Sequence, residues 1–331
     1  MNHLNRRDFL AYSSASLGVA GAASFAAGQS AAPAPRVSGV ALTTSGPGVT
    51  AAAAGPRTLK KAVMYGMITE GKTVQEKFEI LRDTGFDGVE MDSPSKIPAD
   101  EVLAAMDKTG IKVHGLVDSV HWQLHLNSPE PEVRERGLDA LRTALHDAKT
   151  YGSTSILLVP ALVNARQPYD DAWRLSIESL RTVAPLAGEA GVKVAIENVW
   201  NNFLLSPIEA ARYVDELNSG DPAAPFMFHF DIGNVINYGW PAQWVKILGP
   251  RIKKLHIKDF SRKKRDEQGL WKGFEVELGD GDAGWADTMK ALDATGYSTA
   301  PAGNWATAEV GGGKRDRLKQ ISEQMDRLFS M

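Results

Sequence analysis

The sequence predicts an α/β fold, a (β/α)8 TIM barrel, across residues 58–331. Three observations carry that expectation. From Lys61 onward, strand-like and helix-like segments alternate eight times with short breaks, the pattern of a parallel α/β fold. Helix candidates stop at a glycine just before the next strand, at Gly85, Gly110, Gly152, Gly191, Gly249 and Gly296; glycine provides a left-handed C-cap without steric cost. No glycine-rich loop follows the first strand, so an open dinucleotide-binding sheet lacks its fingerprint. The length fits as well, since roughly 270 residues remain after the N-terminal segments, close to the ~250 of a single barrel.

Taken in order, the chain opens outside the barrel. Within residues 1–30, Arg6-Arg7-Asp8-Phe9-Leu10 precedes a mildly apolar stretch rich in Ala, Gly and Ser. This resembles a twin-arginine export signal, an address read by a receptor rather than an anchor. Gly and Ser dilute the run and it is short for a membrane span. A periplasmic or secreted protein without a stable membrane anchor is therefore expected. Residues 31–57 are Ala, Pro, Gly, Ser and Thr with almost no large apolar side chains, a composition that cannot offset its ordering entropy and reads as a disordered linker. Strands are then expected at Ala62–Ile68, Gly88–Asp92, Lys112–Asp118, Ser155–Pro160, Lys193–Val199, Pro225–Ile232, Ile252–Phe260 and Thr299–Val310. Helices are expected at Thr73–Thr84, Ala99–Thr109, Pro131–Tyr151, Asp170–Ala190, Pro207–Leu217, Ala242–Leu248, Trp285–Thr295 and Lys314–Phe329.

The composition narrows the chemistry. A net charge of −3 and a pI of about 6.2 give no basic excess for nucleic acid or an anionic membrane surface. The absence of cysteine excludes disulfides, zinc–thiolate sites and thiol nucleophiles. Any metal site must use oxygen and imidazole nitrogen.

Four residues offer such ligands. Glu197, Asp231, His256 and Glu309 close, or nearly close, the apolar runs VKVAI, FMFHF, IKKL and WATA. In barrel enzymes the active site lies at the C-terminal ends of the strands, and these four fall at the ends of strands five to eight. Three carboxylates crowded there repel one another unless a cation sits among them. An O3N set suits Mn2+, Mg2+, Co2+ or Zn2+. Taken singly, each has a plainer explanation: a helix cap, a turn organised by Asp231, a satisfied core histidine, a solvent-facing Glu309. Their occurrence at four consecutive strand ends favours a metal site.

Ile196-Glu197-Asn198, Phe230-Asp231-Ile232-Gly233-Asn234, Leu255-His256-Ile257-Lys258-Asp259 and Ala308-Glu309-Val310-Gly311 resemble the strand-end motifs of the xylose isomerase-like barrel superfamily. They are most similar to its sugar isomerases and epimerases of the D-tagatose 3-epimerase, hydroxypyruvate isomerase and inosose dehydratase kind. Gly85-Phe86-Asp87-Gly88-Val89-Glu90, and Leu278-Gly279-Asp280-Gly281-Asp282 with Trp285, extend the resemblance over about residues 61–329. It implies that all four residues bind the metal and that Glu197 and Glu309 also form the acid/base pair. The metal would polarise a carbonyl, and the two glutamates would move a proton at the adjacent carbon. One departure stands out. Many relatives carry His where this chain has Asn234, and an amide does not titrate near neutral pH.

Further candidates for substrate contact are Glu90, His114, His121, Trp122, Asn234 and Lys258, with Glu90 also a candidate for support behind the ligands. Asp259 is a candidate to orient Lys258, Trp200 and Trp240 to wall the pocket, and Arg262–Arg265 reads as a solvated loop face. Gly311–Gly313 reads as a flexible turn or as the opening of a phosphate site at the final helix. The leading expectation is a metal-dependent isomerase or epimerase acting on a non-phosphorylated sugar or polyol, phosphorylated metabolites being mostly cytosolic. A lyase performing β-elimination on a 3-keto-glycoside or keto-inositol shares its first step and stays open. A periplasmic sugar-binding protein is the non-enzymatic alternative. A nuclease built on a three-metal cluster fits poorly with seven histidines and a negative net charge. The expected partner is a small carbohydrate; a homo-oligomer is compatible with the sequence, which does not set the oligomeric state.

Overall fold

The computed structural model of the chain describes residues 56–219 and 224–331. The export signal assigned to residues 1–30, and residues 31–55 of the linker, lie outside the described residues. Arg57, at the end of the segment read as linker, is tied to the barrel: its guanidinium donates to Asp293 at 2.8 Å and to the Phe329 carbonyl at 2.7 Å. No helix among the described residues is long and apolar enough to cross a membrane.

Eight parallel strands form a closed barrel in chain order, with β8 returning to pair with β1. They are β1 Lys60–Met64, β2 Gly88–Ser93, β3 Lys112–Asp118, β4 Ser155–Leu158, β5 Lys193–Glu197, β6 Phe226–Asp231, β7 Ile252–Ile257 and β8 Trp305–Ala308. The α-helices are α1 Val74–Asp83, α2 Ala99–Thr109, α3 Pro131–Tyr151, α4 Tyr169–Ala190, α5 Pro207–Asn218, α6 Ile232–Val235, α7 Pro241–Leu248, α8 Arg262–Gln268, α9 Trp285–Ala294 and α10 Arg315–Phe329. Local chemistry sets their ends. Thr73 and Glu76 form a capping box at the start of α1, and Ser206 and Glu209 do so at α5. All six glycines expected to stop helices have positive φ.

The two faces of the strands divide the labour. Phe230 stacks on Trp244 of α7 at 6.0 Å, so it faces the helix layer. Its neighbours His229 and Asp231, one position away on either side, point into the barrel. The register shifts opposite Val89–Glu90 and Phe228–His229, where His114 on β3 and Lys253 on β7 are the extra residues, just where the polar residues begin.

Several expectations need correction. The last strand spans only Trp305–Ala308 rather than Thr299–Val310. The segment before it is a turn held by Thr58, whose amide donates to the Ser298 carbonyl at 2.8 Å. Strand β7 stops at Ile257 because Asp259 turns into a loop (below). Arg262–Arg265 is not a solvated loop face. It begins α8, capped by Ser261, and it clamps the chain beyond α6: Arg262 donates to the carbonyls of Ile236 at 2.9 Å and Gly239 at 2.7 Å, and Arg265 to that of Asn237 at 3.0 Å.

The glycine run before α10 is pinned to the segment after β1. Gly313 donates to Met67 at 3.0 Å and accepts from Thr69 at 3.1 Å. A Cβ at Gly312 would collide with the Met67 backbone. At the start of α10, the Arg315 amide already donates to the Glu70 carboxylate at 2.9 Å.

Candidate metal centre

Glu197 and Asp231 are the last residues of β5 and β6, His256 is the penultimate residue of β7, and Glu309 follows β8. One donor atom from each lies within 4.8 Å of the others. His256 Nδ1 is the focus: it is 2.9 Å from Glu197 Oε1, 3.1 Å from Glu309 Oε2 and 3.9 Å from Asp231 Oδ2. The side chains of Asp231 and His256 are fully buried, whereas that of Glu309 keeps 17% exposure and so marks the solvent side of the cluster.

Lys258, expected to bind a substrate oxygen, is drawn into this set. Its ammonium lies 2.9 Å from Asp231 Oδ2 and 2.7 Å from Glu309 Oε2, and it donates to Asn234 Oδ1 at 3.3 Å. The electrostatics follow from crowding. Burial pushes the Asp231 carboxyl up to about 7, Lys258 opposes that shift, and Glu309 and Glu197 reinforce it. Burial alone would lower His256, but the carboxylates of Glu309, Glu197 and Glu90 hold it well above the usual imidazole value. Lys258, likewise disfavoured by burial, is held above the usual lysine range by Asp231 and Glu309.

A divalent cation fits this donor set. Three acidic oxygens and an imidazole nitrogen converge on one point, and Glu197 Oε2 is buried without a hydrogen-bond partner among the described residues. Unpaired buried carboxylate oxygens are costly, and a cation removes that cost.

The surroundings hold the ligands in place. Asn198 grips the Asp231 backbone twice, donating to its carbonyl at 2.8 Å and accepting from its amide at 2.9 Å. Asp231 Oδ1 accepts the Asn234 amide at 2.9 Å and so caps α6; the turn reading and the ligand reading of Asp231 are compatible, since each uses a different oxygen. The Asn234 side chain donates to the Asn198 carbonyl at 2.9 Å, and Trp200 donates to the Asn234 carbonyl at 2.7 Å. Asn234 is thus built into the framework. Trp200 also packs against Trp271 and Phe274, with ring centroids 4.9 and 5.0 Å away, while Trp240 is largely exposed beneath the Arg262 guanidinium. Asp259 does not orient Lys258. Its carboxylate accepts the amides of Gly279, Gly281 and Ala283 and the Trp285 indole N–H, organising the loop before α9. A Cβ at Gly281 would overlap that carboxylate.

A second polar layer sits deeper in the barrel. Glu90 Oε2 meets His256 Nε2 at 2.9 Å. His229 lies edge-on to His256, with centroids 4.2 Å apart. His114 is not at the rim: its ring stacks on Trp305 at 4.4 Å and bonds to Lys254 Nζ at 3.1 Å and to the Thr307 hydroxyl at 3.0 Å. His121 and Trp122 form an edge-to-face pair in the turn after β3. Reading the sequence missed His229 and Lys254, both fully or nearly fully buried, because they stand inside runs read as apolar. The available signal was period-two spacing: His229 precedes Asp231 by two, and Lys254 precedes His256 by two. It also missed Asp118 at the end of β3, whose carboxyl burial pushes up to about 7 against bonds from the Val120 and His121 amides.

Residues 78–331 match the family model described as "Xylose isomerase-like TIM barrel". The chain belongs to that family. It is 26% identical over 258 residues to the L-ribulose-5-phosphate 3-epimerase UlaE of Escherichia coli O157:H7 (strain EC4115 / EHEC), a match covering 72% of this chain and 86% of the relative. Among solved structures it is similar to a D-tagatose 3-epimerase-like protein, with a TM-score of 0.67 and 17% identity, covering 82% of this chain and 97% of that one. It is also similar to the 3-keto-D-glucoside 4-epimerase YcjR from E. coli, with a TM-score of 0.67 and 18% identity, covering 82% and 100%. These structural likenesses establish the fold; this member of the family carries a buried cluster of Glu, Asp and His at the barrel rim.

Proposed function

We propose that this chain is a divalent-metal-dependent sugar isomerase or epimerase, moving a proton at a carbon next to a carbonyl of a non-phosphorylated sugar or polyol. The observation that carries the reading is the convergence of Glu197, Asp231, His256 and Glu309 on one point at four consecutive strand ends. The epimerase relatives on the same barrel support it. The preference for an unphosphorylated substrate rests on the twin-arginine segment at Arg6-Arg7 and on export to the periplasm or beyond.

The roles follow from placement. Asp231 and His256 serve as ligands, with Asp231 fixed by Asn198. Glu197 and Glu309 approach the same imidazole nitrogen from different strands, so two carboxylates border one small space. One removes the proton and the other returns one, to the opposite face for epimerisation or to the neighbouring carbon for isomerisation. When bound, the ion supplies Lewis acidity that makes the C–H beside the carbonyl removable. Lys258 holds Asp231 Oδ2 and Glu309 Oε2, so it competes with a cation for the same oxygens and neutralises them otherwise.

Incubating the protein with Mn2+ or Co2+ and a panel of free ketoses and inososes in D2O tests this. Deuterium should enter at one carbon, in a product of otherwise unchanged mass. Glu197→Gln and Glu309→Gln should each suppress that exchange by about 10^2–10^4-fold. Unchanged turnover in both variants would refute the mechanism. An enone in place of an isomer, or an aglycone released from a 3-keto-glycoside added to the panel, would assign the same proton abstraction to a β-eliminating lyase.

A further inference from the structure

His256 presents its two ring nitrogens to opposite environments. Nδ1 faces the carboxylates of Glu197 and Glu309. Nε2 is hydrogen-bonded to Oε2 of Glu90, at 2.9 Å. We propose that Glu90 is a positioning residue for the metal centre: its carboxylate accepts the Nε2–H of His256 and so presents the bare Nδ1 lone pair to the ion. The inference rests on the metal reading above and assigns Glu90 neither to the ligands nor to substrate.

The geometry carries it. A neutral imidazole has one N–H and one lone pair, so fixing the proton on Nε2 leaves Nδ1 as the ligand atom. Glu90 is fully buried on the far side of the ring from the rim carboxylates, where a sugar could not reach it. Its place is built by the fold. At the register shift between Val89 and Glu90, His114 is the extra residue on β3, so Glu90 stands opposite Gly115. Gly115 on the adjacent strand leaves room for it, since a Cβ there would sit 3.2 Å from Glu90 Oε1. His229, buried and 3.8 Å from Glu90 Oε1, lies edge-on against His256 at 4.2 Å between centroids. A hydrogen bond and a ring contact together fix both the direction and the plane of the His256 imidazole. Carboxylates behind metal-bound histidines act this way in general, and losing one weakens metal binding by about 10–100-fold.

The test compares wild type, Glu90→Gln and Glu90→Ala, each stripped with a chelator and titrated with Mn2+ or Co2+ by calorimetry. The Kd should rise about 10–100-fold in Glu90→Ala. Glu90→Gln should be weakened less, because its amide oxygen still accepts the Nε2–H. In 15N-histidine spectra of metal-free protein at high pH, His256 should show the Nε2–H tautomer in wild type and a mixture in Glu90→Ala. An unchanged Kd and tautomer in folded Glu90→Ala would overturn the inference, even if the melting temperature fell, since that pattern marks a purely structural residue. If Glu90→Ala does not fold, Glu90→Leu, which fills the space but offers no acceptor, decides on the same readouts. Wild-type protein that binds no metal would overturn the metal reading itself, a result distinct from normal binding in both variants.

Discussion

Two polar layers are stacked inside one barrel, and they solve the problem of buried charge differently. The upper layer, Glu197, Asp231, Glu309 and Lys258, is dominated by carboxylates aimed at a common point. The lower layer, Glu90, His114, His229, Lys254 and Thr307, spreads acids, bases and a hydroxyl over pairwise contacts, with Lys254 also donating to the His114 carbonyl at 3.1 Å. His256 belongs to both, with one nitrogen in each. Concentrating like charge is costly without a cation; Lys258 supplies one positive charge there, and the converging donor set fits a divalent ion in its place. The lower layer is bonded pair by pair but not completely, since Glu90 Oε1 and both ring nitrogens of His229 are buried without a hydrogen-bond partner among the described residues; it is the floor on which the centre stands.

The sharpest way to break this comparison is to remove the shared residue. His256→Ala should lose metal affinity by well over 100-fold, because it deletes a ligand outright, in contrast to the smaller effect of an outer partner; chelator-competition titration measures it. Next comes Lys254→Met in the lower layer. It strips the His114 ring and carbonyl of a donor and should destabilise the fold by about 1–3 kcal/mol in urea unfolding, while leaving metal affinity within about threefold. A large loss of metal binding in that variant would show that the layers are not separable.

Asp118 supplies the contrast of a strand-end carboxyl held by backbone amides rather than set in a ring of ligands. Its folded pKa, pushed up to about 7 by burial, lies above its value in the unfolded chain. Between about pH 4 and pH 7 the native state therefore binds more protons than the unfolded state, and stability falls as pH rises through that window. Asp118→Asn should flatten that part of the pH–stability curve, as followed by urea unfolding at pH 4.5 and 7.5. A curve unchanged by the substitution would show that burial does not set this group's titration. The smallest effect belongs to the barrel seam: Arg57→Ala removes an ion pair with Asp293 that is only partly buried and should cost about 0.5–1 kcal/mol with no change in metal binding.

The upper layer was legible in the sequence and the lower one was not, for a physical reason. Glu197, Asp231, His256 and Glu309 end apolar runs, where a change from apolar to charged marks the rim of a barrel. His229 and Lys254 sit within such runs, and a single polar residue there looks like an interruption of a core strand. Their period-two spacing from Asp231 and His256 puts them on the same strand face, but their meeting with His114 and Glu90 is set by the fold. Lys258 adjoined the motif, but its pairing with two ligand candidates depends on β6, β7 and the segment after β8 being neighbours. The register shifts beside Glu90 and His229 depend on partner strands and have no signature in the chain itself. Strand ends were misplaced where tertiary contacts decide them, as at Asp259 and at the turn held by Thr58.

The central claim is that the upper layer is a metal centre, and direct metal binding tests it best. Apo-protein titrated with Mn2+ or Co2+ in a calorimeter should take up one ion per chain, and Asp231→Ala, still folded, should take up none over the same range. Wild-type protein that binds no ion, or an Asp231→Ala variant that binds as tightly as wild type, would contradict the account.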